Sequence, residues 1–128
     1  MSVTVGMKAK AEAVVNDQNT AITAGSGTLP VFATPWMCAL MEQAACNAIL
    51  PCLDSSTSSV GIKMDTTHEG ATLLGKKIIA TAKLIAVEGR KLTFKVGACD
   101  DHGPIGNGTH ERFIIDKAKF IAKLQSKR

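Results

Sequence analysis

At 128 residues, with 45% hydrophobic side chains, the chain can bury a real core, which excludes a disordered protein. Four Phe, one Trp and no Tyr are too few aromatics for the stacking platforms of single-stranded nucleic acid. A net charge of +4 suits an anionic small-molecule partner and equally serves solubility. Residues 3–15 alternate, with Val3, Val5, Met7, Ala9, Ala11, Ala13 and Val15 facing one way, and predict a half-buried strand. Residues 20–33, rich in Gly, Thr and Ser, predict a loop. Thr34 and Pro35 then suit a helix start, and Pro51 ends the helix. The stretch between them is apolar on nearly every side, which predicts a buried helix over 34–50. Only Glu42, Gln43 and Asn47 interrupt it.

A polar connector is expected at 51–59, then a strand in which Val60, Ile62 and Met64 alternate with Gly61, Lys63 and Asp65. A longer strand over 72–87 places Ile78, Ala80, Ala82, Leu84 and Ala86 on one face. Glu88-Gly89-Arg90 is a tight turn, and Leu92, Phe94 and Val96 mark the next strand. A second turn at 100–104 precedes a last strand near 105–115, and 116–126 suggest a short amphipathic helix. Short turns imply antiparallel pairing. The chain therefore reads as one α+β domain over 1–128, an antiparallel sheet wrapped around a long buried helix. A single sheet seals only one side of such a helix, so a homodimer is expected.

Glu42 is the first candidate for chemistry, because a carboxylate is expensive to bury unless something pairs with it or uses it. It also makes the helix a poor membrane span. Cys38, Cys46, Cys52 and Cys99 show no CxxC spacing, and the opening residues carry no secretory signal. A reduced, cytoplasmic protein without disulfides or structural zinc is expected. His110 and His102, with Asp100 and Asp101, lack any recognised metal-ligand spacing, so no metal is expected. Gly25-Ser26-Gly27 lacks the remaining residues of a phosphate loop.

Three segments together resemble the hot-dog-fold thioesterases, and within them the fluoroacetyl-CoA thioesterase-like group. They are Pro30-Val31-Phe32-Ala33-Thr34-Pro35 leading to Glu42, Val60-Gly61 through Thr67-His68 to Gly70-Ala71, and Gly106-x-Gly108-x-His110-x-Arg112. The resemblance covers roughly residues 3–118. It implies the hot-dog fold, a homodimer with two interfacial sites, and metal-free hydrolysis of a small or short-chain acyl-CoA. Coenzyme A would enter only as part of the substrate, with no cofactor. Carried over by position, the catalytic residues fall on Thr34, Glu42 and His68, and substrate-binding residues on Gly61 and Arg112. Gly25-Ser26-Gly27-Thr28 is small and polar where the fluoroacetyl-specific enzyme has aromatics, which argues for another acyl group.

Each candidate also has a plainer role. Thr34 serves as a helix cap, and His68 as a surface residue at a strand end. Gly61 permits a strand irregularity, and Arg112 either binds a CoA phosphate or holds a dimer ion pair. Two other activities stay open: a non-enzymatic acyl-CoA-binding module, and an enoyl-CoA hydratase, whose Asp/His pair is not evident.

Overall fold

The computed structural model describes residues 2–127. Five strands form one antiparallel sheet in the order β1-β3-β4-β5-β2. They are β1 (Lys8–Val14), β2 (Thr57–His68), β3 (Lys77–Glu88), β4 (Lys91–Asp100) and β5 (Gly103–Asp116). Helix α1 (Ala21–Ala24) and helix α2 (Thr34–Ile49) lie between β1 and β2, with a 3-10 turn at Leu50–Cys52. Helix α3 (Lys117–Gln125) ends the described chain.

β3 and β4 follow the alternation closely. Ile78, Ala80, Ala82 and Leu84 of β3, and Leu92, Phe94, Val96 and Ala98 of β4, are buried on the inner face. β1 is shorter than 3–15, because a turn at Gly6, with φ of 101°, breaks the run before Met7. β3 likewise starts at Lys77 instead of residue 72. β2 begins earlier than its apolar residues suggest. Thr57, Ser58 and Ser59 are paired with Asp116, Ile115 and Ile114, so tertiary pairing makes a strand of a polar segment. Within the expected loop, Thr20 caps α1 by accepting from the Thr23 amide.

Helix α2 lies across β1 and β3. Its buried residues are Met37, Leu40, Met41, Ala44, Ala45, Ala48 and Ile49, a stripe of ordinary helical spacing. Alanines on the helix and at Ala11, Ala80 and Ala82 below it let the two layers approach closely. The helix is not buried all round: Trp36 is 47% exposed, and Ala39 and Gln43 face outward. The apolar residues of the outer face hid the true stripe. Asn47 donates to the Lys10 carbonyl at 3.1 Å and ties the helix to edge strand β1.

Candidate active site

Three successive turns of α2 face β2, and they run antiparallel to it. Thr34 Oγ1 is 2.7 Å from His68 Nδ1. Cys38 Sγ is 3.6 Å from Thr66 Oγ1. Glu42 stands over Gly61: a Cβ built on that glycine would lie 2.7 Å from Glu42 Oε2. The steps of four residues along the helix place these side chains on one face. Spacing along the axis keeps Thr34 and Glu42 about 12 Å apart.

Thr34 is the first residue of α2, and Ala33 precedes it as an uncapped N-terminus. The expected cap role is therefore not what Thr34 does; its hydroxyl turns to His68. His68 closes β2, where Nε2 is sealed from solvent and has no hydrogen-bond partner among the described residues. Burial holds this imidazole below its ordinary value. The nearby Gly70 backbone opposes that shift without making a hydrogen bond of normal geometry. Burial therefore favours the neutral form of this imidazole. Thr34, His68, Phe32, Ser26 and Gly70 line a pocket of about 280 Å³.

The Glu42 end is built differently. Arg112 Nη1 lies 3.6 Å from Glu42 Oε2, and the Arg112 side chain is only 7% exposed. Its Nε donates to Ser59 Oγ at 2.8 Å and its Nη2 to the Ser59 carbonyl at 3.0 Å. The guanidinium is committed to its own chain, a third role beside the phosphate and dimer contacts expected from sequence. The Glu42 side chain is 42% exposed, so the protomer does not bury it as the apolar sequence around it suggests. Its face of the helix points to the rim at β2, outside the helix–sheet core. Gly61 permits the strand irregularity expected of it, since the β2–β5 register shifts between Gly61 and Lys63, and its missing side chain also leaves room for the Glu42 carboxylate.

Sequence reasoning passed over Ser59 and the contacts of His110. Both partner Arg112, and the two-residue spacing of His110 and Arg112 on one strand face was the available signal. Among the described residues no group of three or more His, Cys, Asp or Glu could hold a metal ion. His102 is exposed at the β4–β5 turn, whereas His110 is buried in β5. A larger hollow of about 550 Å³ lies on the sheet's outer face among Lys8, Lys10, Lys83 and Lys95, and no candidate residue lines it. No described helix is long and apolar enough to cross a membrane.

A curled five-stranded antiparallel sheet carrying one long helix is the hot-dog fold. A thioesterase superfamily member from Thermus thermophilus shares it with a TM-score of 0.89 and 30% identity, over 98% of this chain and 93% of that one. The fluoroacetyl-CoA thioesterase FlK matches with a TM-score of 0.92 and 36% identity, over 100% of this chain and 99% of that one. The fluoroacetyl-CoA thioesterase of Streptantibioticus cattleyicolor is 44% identical over 97 residues, which are 76% of this chain and 70% of that protein. The family profile described as fluoroacetyl-CoA-specific thioesterase matches residues 15–118. The chain belongs to that family of thioester hydrolases.

Proposed function

We propose that this protein, one domain over residues 1–128, hydrolyses a small or short-chain acyl-CoA to the free acid and CoA, with no cofactor. The observation that carries this reading is the Glu42 carboxylate, held by a buried arginine on one side and open to water on the other. Gly61 leaves the space above the strand free for it.

The leaving group decides which step needs help. A thiol of ordinary pKa near 8.5 departs as a thiolate with little assistance, so attack on the carbonyl carbon is the demanding step. Glu42 supplies it, either by deprotonating a water or by attacking the carbonyl itself. In the second case a mixed anhydride forms, CoA leaves as thiolate, and water then cleaves the anhydride. Thr34 positions the acyl group, and His68 moves the proton that water gives up on to the CoA thiolate once it has left. Gly61 lets the thioester oxygen approach backbone amides. Arg112 acts on the substrate through Glu42, which it orients. The pocket of about 280 Å³ beside Thr34 and His68 lies at the small end of ligand sites and favours a short acyl group.

Thr34 and Glu42 stand too far apart to touch one atom together within a protomer. They bracket the thioester, or two subunits each contribute one end. A homodimer suits the exposed outer face of α2 and the free edge of β2, where Ile62 is 51% exposed. A cytoplasmic location suits four free cysteines.

The test is a panel of acetyl-, fluoroacetyl-, butyryl- and crotonyl-CoA followed by free-thiol release. Saturable release is expected for at least one small acyl group. Thermal stabilisation without release would make the protein a binding module. Loss of crotonyl absorbance without thiol would make it a hydratase.

A further inference from the structure

His110 is buried to 1% exposure, yet it touches none of the pocket beside Thr34. Its ring lies 6.3 Å from Phe94, stacked at 30°. Nδ1 is 2.7 Å from the Lys63 carbonyl, an acceptor only, so Nδ1 carries the hydrogen. Nε2 is then a bare lone pair, and Arg112 Nη1 donates to it at 3.2 Å. The same Nη1 faces Glu42 Oε2 at 3.6 Å. With Ser59 taking Nε and Nη2, the guanidinium is fixed on every edge. Ser59 alone fixes one edge and leaves Nη1 free to tilt away from the carboxylate.

We propose that His110 is a positioning residue: its Nε2 is the fixed acceptor that aims Arg112, and through Arg112 the Glu42 carboxylate. The inference rests on the reading of Glu42 as the acting group. The geometry is specific about atoms. An Asn at 110 reproduces the Nδ1–H donor and lacks the Nε2 acceptor; a Gln reaches the acceptor position. Protonated His110 would turn an N–H toward Arg112 and could not serve.

The experiment measures thiol release from acetyl-CoA and fluoroacetyl-CoA by the wild type, His110→Asn, His110→Gln, Arg112→Met, the His110→Asn/Arg112→Met double variant, and Glu42→Gln. His110→Asn should lose about 10- to 100-fold in kcat with KM within about twofold, the signature of a misaimed group that does not bind substrate. His110→Gln should recover most of that loss. In the Arg112→Met background His110→Asn should cost nothing more, because its effect passes through Arg112. A folded His110→Asn with unchanged kcat, or one that costs its full loss without Arg112, overturns the proposal. If the Asn variant does not fold, nitrogen-15 NMR of the wild-type imidazoles decides, since an Nε2–H tautomer at His110 would overturn the proposal as well. Unchanged turnover in Glu42→Gln would instead remove the reading on which the inference rests, a result separable from failure at His110 alone.

Discussion

Thr34 occupies the first position of α2 and makes its side-chain bond to His68 instead of to the helix amides. A capping threonine contributes about 1 kcal/mol, and its removal is read in stability. On the proposed role of His68 as proton carrier, the threonine bonded to it is read in turnover. Thr34→Val should therefore leave the urea unfolding free energy nearly unchanged while kcat falls by at least about 10-fold. A stability loss near the capping value with normal turnover would return Thr34 to a structural role. At Glu42 the residue scale gives a different lesson. The sequence neighbours of this carboxylate are apolar, yet its partner Arg112 lies far along the chain and is met only through the sheet. Attraction to a buried guanidinium, more than burial, holds it in place.

At the scale of elements, β2 and β5 carry most of the site between them. Their register sets Gly61 opposite Arg112 and Met64 opposite His110. Burial lowers the pKa of His68 on β2 and of His110 on β5; at His110 the hydrogen bond to the Lys63 carbonyl opposes the shift, Arg112 adds to it, and Glu42 and Glu111 oppose it. The unfolded chain then binds more protons than the folded one once pH drops below the ordinary histidine value of about 6.5. Stability from these groups is complete above that pH and is lost as pH falls toward the lowered folded values. Urea midpoints should fall between pH 7.5 and pH 5.5, and less so in His110→Gln. A midpoint independent of pH over that range would contradict the burial of both rings. Carboxylates held low by hydrogen bonds, such as Asp100 with Thr72, act only at lower pH, below their ordinary range.

The elements also show what was legible in the sequence. Thr34-Pro35 and Pro51 mark the ends of α2, and alternation at Ile78–Leu84 and Leu92–Val96 marks β3 and β4. Polar strand residues Thr57–Ser59 carry no such signal, because β5 imposes their conformation. The buried face of α2 was illegible because Trp36 and Ala39 are apolar on its exposed face and Cys38 and Cys46 are apolar and half-buried on its flanks. For the site, Thr34, Glu42 and His68 are recognisable by position in the three motifs, and the pairing of Thr34 with His68 follows from none of them. Spacing along one helix predicts which side chains share a face, and it is silent about the strand that meets that face.

At the scale of the whole molecule, the chain leaves several large apolar side chains open to solvent. Trp36 on α2, Ile62 on β2 and Phe113 on β5 are all substantially exposed, and β2 is an edge strand with one free side. A homodimer is proposed because a second copy would give such exposed apolar side chains and a free strand edge a partner. Sedimentation velocity at micromolar concentration should give twice the 13.4 kDa chain mass. A monomer that retains full turnover would show that each chain carries a whole site.

Steady-state CoA release by Glu42→Gln, beside the wild type and at equal secondary-structure content, bears most directly on the account. Exchanging one carboxylate oxygen for an amide keeps shape and removes the base, so turnover should fall by about 10³-fold or more. Wild-type turnover in that variant would leave the thioester without an attacking group here, and the mechanism would have to be sought elsewhere in the fold.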